Sequence, residues 1–347
     1  MKLAKLLLIS LLCFSANALS AIAGKPVILV HGFNFSDLQD TPPNEQFLLQ
    51  QSREYFGDFW TNRADRHHYF SSVDRVSGGI KDQFKRHFQE LEASGLCMQG
   101  CVYVTHSTGD LVLRDALSRL GQWGIDQNRV KVLTVIDFAG AGGGTELADL
   151  AANVATGGGL VDFTVRQVVR AFLGVDPSSA GLGVVNDLRP ANARRIAQSN
   201  QGVPRLRFVG TGTEYAGITK PFILGKDDSV VPLHSACGAN RSDNYESCSS
   251  SIRNNGVLRS SRAPSAFLSN HYPILMGERV NHSQHINNDR VGGIYAPIIN
   301  NVSANGIVID FDETTSRRWW SWGARVRSVD DSDDKSMSQN VFDTLNN

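Results

Sequence analysis

The chain has 347 residues, of which 41% are hydrophobic and 20% charged, and its 34 basic side chains are balanced by 34 acidic ones. This is the composition of an ordinary globular protein with one large core or two domains. A formal net charge of zero, with no basic block along the chain, argues against a nucleic-acid partner.

The first 23 residues have the pattern of a secretory signal peptide. Lys2 and Lys5 precede an apolar run at 6–14, and small residues suited to cleavage follow it up to Ala23. The run is too short to cross a bilayer, and no later stretch approaches roughly 18 uninterrupted apolar residues. We therefore assign 1–23 to the signal peptide and expect a secreted protein, extracellular or periplasmic, with no transmembrane segment.

Four cysteines remain after the signal peptide. An even number of cysteines in an exported protein predicts disulfides. Of the three pairings that can be drawn we favour the local one, because each of its pairs brackets a short, turn-rich loop. It joins Cys97 to Cys101 and Cys237 to Cys248. A four-cysteine metal site is the competing interpretation, and the spacing is poor for it.

Predicted strands and helices alternate in the first part of the chain. The apolar spacing predicts strands at 25–30, 66–72, 102–104 and 131–138, and helices at 46–56, at 76–94 and from Leu111 to about Gly121. Gly95 is a natural C-cap for the second helix. This alternation predicts a parallel sheet with helices on both faces.

A glycine-rich run at 139–144 marks a change of composition. The apolar stretch that follows, 147–175, is interrupted by glycines at 157–159. Two interpretations stay open: ordinary core helices, or a mobile cap of about 145–190 that closes over a site on glycine hinges. Beyond it the pattern predicts strands at 206–210 and 222–225 and a last helix at 290–301.

Residues 304–347 extend beyond this pattern, and we assign them no role. A strand is predicted at 306–311. Trp319, Trp320 and Trp322 then follow two arginines, which suits either internal aromatic packing or a surface-binding patch. Of these two interpretations we favour internal packing.

The stretch Thr105-His106-Ser107-Thr108-Gly109 lies where a predicted strand meets a predicted helix. A strand that runs directly into a helix forces the serine at the corner into a tight turn, with its hydroxyl over the end of the sheet. This is the nucleophile elbow pattern G-x-S-x-G, with Thr105 in place of the first glycine. A Ser/Thr-rich helix N-cap gives the same local pattern, so the rest of the chain has to support Ser107 as a nucleophile.

A serine nucleophile needs a base in contact with it and an acid that orients the base. His106 is adjacent to Ser107, but successive residues at such a turn point in different directions. His282, in a polar loop before the predicted last helix, is the favoured base, and His285 is the alternative.

The favoured acid is Asp228, which closely follows the strand predicted at 222–225. An aspartate at that place can hold the base in the neutral tautomer that abstracts a proton. Asp227 is its neighbour in the same turn. Asp137, at the end of the strand predicted after the elbow, is the second choice of acid.

The backbone N–H groups of Phe33 and Thr108 are the candidate donors to an oxyanion. Gly32 lets the first loop pass close to the serine, which would turn the Phe33 N–H inward. Thr108 begins the helix after the elbow, and helix N-termini favour negative charge. The His-Gly loop, the elbow serine, the aspartate and the histidine follow one another in the chain order of Ser…Asp…His hydrolases.

Residues 27–33, 105–114 and 225–232 resemble secreted bacterial triacylglycerol lipases and esterases of the α/β-hydrolase superfamily. The loop at 281–286, with Val291 nine residues after the favoured histidine, resembles the histidine loop and last helix of that family and supports His282 over His285. The resemblance covers about 25–303. It implies that the catalytic residues are Ser107, His282 and Asp228 and that the oxyanion donors are Phe33 and Thr108.

The chain departs from that family at three positions. Thr105 and Asp110 replace the usual glycines around the elbow. Many of these lipases hold a structural calcium ion through an aspartate two residues after the catalytic histidine, and Gln284 stands there instead, which puts calcium in doubt. We therefore expect no metal ion and no cofactor.

The fold expected is an α/β-hydrolase catalytic domain over 24–303, with a mostly parallel sheet, helices on both faces and an inserted helical cap. The function expected is a secreted carboxylic-ester hydrolase, a lipase or esterase, that acts on lipid or acyl esters through an acyl-enzyme and touches a lipid interface transiently. Two alternatives stay open: an extracellular polyhydroxyalkanoate depolymerase and a non-catalytic binding protein with the same fold.

Overall fold

A seven-stranded sheet lies at the centre of the protein, in a computed structural model that describes residues 22–157, 163–175, 181–196, 202–242 and 245–346. In spatial order its strands are β2 (Arg66–His68), β1 (Val27–Val30), β3 (Cys101–His106), β4 (Val132–Phe138), β5 (Arg205–Gly210), β6 (His271–Gly277) and β7 (Tyr295–Pro297). All neighbours are parallel except β6 and β7. The signal peptide predicted at 1–23 lies outside the described residues except for its last two, and so do two of the three glycines at 157–159.

Helices cover both faces of this sheet. They are α1 (Ser36–Gln39), α2 (Glu45–Thr61), α3 (Lys81–Ser94), α4 (Thr108–Ser118), α5 (Glu146–Ala155), α6 (Phe163–Leu173), α7 (Pro190–Ile196), α8 (Leu233–Ala236) and α9 (Met337–Thr344). Gly95 ends α3 in the left-handed conformation, with φ 69°, as the sequence predicts. A mostly parallel sheet between two helical layers, with a serine at the β3–α4 corner, is the α/β-hydrolase fold, which confirms the predicted fold class.

Two hydrophobic cores flank the sheet because successive residues of a strand face opposite sides. Tyr103 faces the core that contains α3 and α4, and Val104 faces the core that contains α2 and α9. Trp60 of α2 is fully buried in the second core, and its indole N–H donates to Ser338 Oγ at 2.9 Å. The C-terminal helix is thereby packed onto the same sheet as the elbow.

Two predicted elements are wrong. Residues 222–225 form no strand: Pro221 lies in a 3-10 turn that ends at Phe222, and Gly225 adopts φ 83°, which a strand cannot accommodate. Residues 290–301 form no helix, because Gly292 and Gly293 adopt φ 60° and 117° and lead into the short edge strand β7.

The C-terminal segment forms two small antiparallel hairpins in place of a single strand. They are β8 (Val302–Ala304) with β9 (Ile307–Ile309), and β10 (Glu313–Arg317) with β11 (Arg325–Val329). The predicted internal tryptophan cluster is wrong, since Trp319 and Trp322 in the β10–β11 turn are 94% and 90% exposed.

The described part of 145–190 is largely helical and contains α5, α6 and a 3-10 turn, Gly183–Asn186. Within the ranges that the structure describes, no helix is long and apolar enough to span a bilayer.

Candidate active site

Ser107 occupies the corner between β3 and α4 in a strained backbone conformation. Its φ of 56° and ψ of −125° are rare for a residue with a side chain. A Cβ atom at Gly32 would lie 2.7 Å from Ser107 Cβ, and one at Gly109 would lie 2.4 Å from the carbonyl oxygen of Val30. The two glycines are therefore required by close backbone approach, and the corner has the geometry of a nucleophile elbow.

His282 and Asp228 form a hydrogen-bonded pair in the loops that follow β6 and β5. His282 Nδ1 donates to Asp228 Oδ2 at 2.8 Å, and the N–H groups of Val230 and Val231 donate to Asp228 Oδ1 at 3.0 and 2.7 Å. Burial alone would raise the pKa of Asp228, but His282 and the hydrogen bonds lower it. Burial opposes a charge on His282 too, yet the carboxylate raises its pKa. The pair leaves His282 Nε2 as a proton acceptor.

Ser107 and His282 line one cavity of about 530 Å³. Among the hydrogen bonds of the described residues, none joins the Ser107 hydroxyl to His282. Catalytic hydrogen bonds are often long before substrate binds and tighten in the complex. The two side chains thus share the cavity without a hydrogen bond between them.

The alternative acid and base residues are engaged elsewhere. Asp227 lies 3.3 Å from Lys220 Nζ. His285 donates from Nδ1 to the carbonyl oxygen of Asn281 at 2.8 Å, and this nitrogen is 3.9 Å from the Asp228 carboxylate. Asp137 points into a buried group of charges. Of the two candidate bases, His282 lines the cavity that holds Ser107 and His285 does not.

Phe33 and Thr108, whose backbone N–H groups are the candidate oxyanion donors, both line the cavity. Thr108 is the first residue of α4, so its N–H has no partner within the helix. The loop with Phe33 is held by His31, whose Nδ1 donates to the Gly32 carbonyl oxygen at 2.7 Å while Nε2 accepts from the Phe70 N–H at 3.1 Å. Burial lowers the pKa of His31 to about 4, which keeps the neutral ring that both bonds require. Sequence reasoning missed this role of His31.

His106 connects the two sides of the site. Its Nε2 donates to the carbonyl oxygen of His282 at 3.0 Å, and its Nδ1 accepts from the Tyr55 hydroxyl at 2.6 Å. Burial lowers the pKa of His106 well below its usual range, so the ring is neutral and can make both bonds. Both ring nitrogens of His106 are thus engaged, and one of them holds the backbone of His282. No sequence signal identified Tyr55.

Thr105 and Asp110, the two departures from the usual elbow, belong to a buried ionic cluster beneath Ser107. Thr105 Oγ1 donates to Asp137 Oδ1 at 2.8 Å. Arg207 of β5 joins the two carboxylates, with Nη1 2.5 Å from Asp137 and Nη2 2.9 Å from Asp110. Two more buried arginines contact Asp110: Arg114 and Arg205. At these two positions, where glycine is usual, the side chains of Thr105 and Asp110 bind residues of β4 and β5.

The charged groups in this cluster shift one another's pKa values. Burial would raise the pKa of Asp110, but Arg207 and its two fellow arginines hold it well below its usual range. Burial and the nearby Asp110 carboxylate raise the pKa of Asp137 to about 7. Three arginines thus keep Asp110 ionised, whereas burial beside Asp110 disfavours a charge on Asp137.

Most of the wall of the cavity that holds Ser107 is apolar. Aromatic and aliphatic side chains from α2, α6 and four loops line it: Phe33, Phe35, Phe56, Phe59, Phe172, Leu188, Val230, Val231 and Ile286. The rings of Phe33 and Phe172 are 5.9 Å apart. Besides Ser107, Thr108, His106 and His282, further polar side chains line the cavity: Glu54, Tyr55, Asp58, Thr145, Tyr215, Ser283, Asn287 and Asn288. A wall of this kind suits a ligand with an apolar body and a polar, reactive group.

The four cysteines pair locally, Cys97 with Cys101 and Cys237 with Cys248, which is the pairing favoured from the sequence. Gln284 Oε1 accepts from the backbone N–H of Asn281 at 3.1 Å. In the described ranges no three His, Cys, Asp or Glu residues are grouped as ligands for a metal ion.

The structure resembles solved bacterial lipases and a phospholipase at low sequence identity. With Bacillus licheniformis lipase BlEst2 in its mature form the identity is 16% and the TM-score 0.41, over 61% of this chain and 78% of that chain. With Staphylococcus hyicus lipase the values are 12% and 0.40, over 76% and 88%. With Legionella pneumophila phospholipase PlaB they are 17% and 0.38, over 61% of this chain and 45% of that one, which is less than half of its length. No protein-family model and no curated protein matches the chain.

Proposed function

We propose that the protein is a serine carboxylic-ester hydrolase. The observation that supports this most strongly is that Ser107 and His282 line one cavity. Ser107 has a strained backbone at the β3–α4 corner, and His282 Nδ1 is hydrogen-bonded to Asp228. Strained residues cluster at functional sites. A nucleophile, a base and an orienting acid in this order are the parts that acyl transfer through serine requires.

In the proposed reaction His282 Nε2 takes the proton of the Ser107 hydroxyl while Ser107 Oγ attacks the ester carbonyl carbon. The carbonyl oxygen becomes an oxyanion that the N–H groups of Phe33 and Thr108 stabilise. As the intermediate collapses, His282 gives the proton to the leaving alcohol, and an acyl-serine remains. Water, deprotonated by His282, then attacks the acyl group, releases the acid and restores Ser107. Asp228 stays ionised and stabilises the imidazolium.

The proposed substrate is a lipid or another ester with a long acyl chain. The aromatic and aliphatic wall of the cavity would bind such a chain, since each buried CH₂ group contributes about 0.8 kcal/mol. Phe172 and Leu188, both in the segment 145–190, line the cavity, which supports the proposal that this segment is a cap over the site. No cofactor takes part in the proposed reaction.

We further propose that the protein acts outside the cytoplasm, after removal of residues 1–23, with 24–303 as the catalytic domain. Two disulfides support this, because such bonds persist in oxidising compartments.

Labelling with a fluorophosphonate probe tests the function. The wild-type chain should be labelled and should hydrolyse p-nitrophenyl esters, whereas folded Ser107→Ala should do neither. A series of esters from acetate to palmitate would define the acyl chain, and we expect kcat/KM to rise with chain length. A folded wild-type protein that takes up no label would favour the non-catalytic alternative.

Polyester hydrolysis is the second candidate function. The exposed Trp319 and Trp322 favour it, since they could adsorb to a polymer surface. Clearing of a polyhydroxyalkanoate film by the wild type, and its loss in Trp319→Ser/Trp322→Ser, would support this function. Hydrolysis of soluble esters without any clearing would exclude it.

A further inference from the structure

The turn between β10 and β11 presents two tryptophans to solvent. Trp319 is 94% exposed and Trp322 is 90% exposed, although tryptophan is on average among the more buried residue types. Trp320 between them is half-buried and lines a cavity with Ile294 beside β7. Of the three tryptophans, the middle one is thus partly covered, and its two neighbours project outward.

Internal hydrogen bonds give the turn a fixed shape. Ser321 is buried, and its Oγ lies 2.8 Å from the carbonyl oxygen of Arg318 and 2.5 Å from that of Ala324. Trp322 adopts φ 51°, a left-handed conformation that is rare for a bulky residue. Such backbone strain persists only where the surrounding structure imposes it. The outward position of the tryptophans is thus built into the fold.

Arginines surround the two tryptophans. Arg317 and Arg325 are directly opposite each other in the hairpin, a like-charge pairing that destabilises a sheet. Arg318 follows in the turn, and Arg259 reaches it from a neighbouring segment, with Nη2 3.4 Å from the Trp322 carbonyl oxygen. All four are exposed, and in the described part of the chain none forms an ion pair.

Acidic residues lie at the other end of this hairpin. Glu313 pairs with Arg327 at 3.9 Å, and Asp330 and Asp331 follow the end of β11. The cavity that contains Trp320 has Arg318, these two aspartates and Asp333 in its wall, but no ion pair links the arginine to them. The turn itself, from Arg317 to Arg325, contains no acidic residue.

We propose that this turn, residues 317–325 together with Arg259, docks the protein on the phosphate-bearing surface of a lipid bilayer. Tryptophan favours the boundary between headgroups and acyl chains, because its ring is apolar and its N–H is polar. The guanidinium groups beside it match phosphate geometry. A neutral polyester would provide the tryptophans with a surface but the four arginines with no partner. Docking does not depend on ester hydrolysis.

Co-sedimentation with vesicles tests the proposal, using the full chain as wild type and as Ser107→Ala. We expect both to bind vesicles of equimolar phosphatidylglycerol and phosphatidylcholine much more tightly than phosphatidylcholine alone. Arg317→Gln/Arg318→Gln should weaken partitioning about 30-fold, at about fivefold per basic residue. Trp319→Ser/Trp322→Ser should weaken it at least about tenfold. Raising the salt concentration from about 0.1 to about 1 M should release the wild type.

Matched controls remove exposed aromatic and arginine side chains outside the turn. Phe163→Ser deletes another aromatic side chain that is 73% exposed, and Arg53→Gln/Arg66→Gln removes two exposed charges from α2 and β2. These controls should bind like the wild type. The proposal is overturned if the turn variants also bind like the wild type, if phosphatidylcholine alone binds equally well, or if a polyester film retains the protein and vesicles do not. Hydrolysis of soluble p-nitrophenyl acetate should be the same in every turn variant, so failure of docking is distinguishable from failure of catalysis.

Discussion

His106 donates a hydrogen bond from Nε2 to the backbone carbonyl oxygen of His282, 3.0 Å away. The neighbour of the proposed nucleophile thus holds the backbone of the proposed base. In the neutral ring the other nitrogen, Nδ1, is an acceptor, and the Tyr55 hydroxyl donates a hydrogen bond to it at 2.6 Å. A tyrosine of α2 is therefore a positioning residue for a histidine that it does not contact directly.

Tyr55→Phe removes only the hydroxyl that fixes the His106 ring. We expect kcat for p-nitrophenyl butyrate to fall by about 10- to 100-fold with KM nearly unchanged, because small misplacement of a catalytic group is costly. The acid limb of the kcat/KM profile should shift as well, since it reports the pKa of His282. Tyr272→Phe, at a tyrosine that is 39% exposed, is the control and should change neither. An unaltered pH profile with a lowered melting temperature would assign Tyr55 a structural role alone.

Asp228→Asn should lower kcat by about 10⁴-fold, because the amide favours the wrong tautomer of His282. Asp227→Asn is the matched control: its side chain lies beside Lys220 and accepts from the Ser229 N–H at 2.8 Å, away from the base. We expect this variant to keep kcat within about tenfold of the wild type. Equal losses in the two variants would contradict the assignment of the acid.

Thr105→Val removes a hydroxyl beneath the elbow and preserves the shape of the side chain. It leaves Asp137 Oδ1 without its 2.8 Å donor in a fully buried place, so we expect a loss of about 1–3 kcal/mol in the free energy of unfolding. Thr105→Ser keeps the hydroxyl and should lose less. Urea unfolding measures both, and a valine variant as stable as the wild type would argue against a structural role for this bond.

The folding stability should fall in mild acid through buried histidines. Burial lowers the pKa of His31 and His87 to about 4 from the ordinary 6.5, and it lowers that of His68 as well. Between these values the unfolded chain binds more protons than the folded one, so stability present above pH 6.5 is lost as the pH falls toward 4. A pKa that is lower by one in the folded chain than in the unfolded chain corresponds to about 1.4 kcal/mol of stability. Asp137, whose pKa is raised to about 7, acts in the opposite direction.

His87→Gln isolates one of these contributions. Glutamine can still donate to the Tyr69 carbonyl oxygen, which His87 Nε2 contacts at 3.0 Å, but it does not titrate. The urea midpoint of this variant should therefore decrease less between pH 7 and pH 5 than that of the wild type. Parallel decreases in both proteins would show that His87 does not contribute.

The two disulfides should differ in their contribution to stability. Cys237 and Cys248 are 11 residues apart, and Cys97 and Cys101 are 4 apart. On chain entropy alone the longer loop contributes about 3 kcal/mol and the shorter about 2 kcal/mol. We expect Cys237→Ala/Cys248→Ala to lower the urea midpoint more than Cys97→Ala/Cys101→Ala. The reverse order would mean that contacts within the loops outweigh loop closure.

Local patterns were enough to predict most of the central strands and the elbow, but they did not predict β6. Apolar runs mark β1, β3, β4 and β5, and the short strand-to-helix connection identifies Ser107. Glycines that hold positive φ explain the two errors. Hydrophobic spacing does not reveal the backbone angles at Gly225 or Gly292. The apolar residues on either side of these glycines therefore suggested a regular strand and a regular helix.

The rest of the site depends on contacts between distant parts of the chain. Tyr55 and His106 are 51 residues apart, and His106 and His282 are 176 apart. Spacing rules describe one helix or one strand at a time, so they do not predict contacts between residues this far apart in the sequence. The exposure of Trp319 is similar, because a cluster of tryptophans has the same sequence whether it packs inward or projects from a turn.

The ionic cluster beneath the elbow constrains how its residues can change in evolution. Thr105, Asp110, Asp137 and Arg207 meet only in the folded chain, and each satisfies a buried group of another. Glycine at 105 or 110 would leave a carboxylate or a guanidinium buried with fewer partners, so single exchanges pass through a less stable protein. We expect these four residues to be inherited together. Elbows with glycine and elbows with this cluster should then form separate lineages with few intermediates surviving between them.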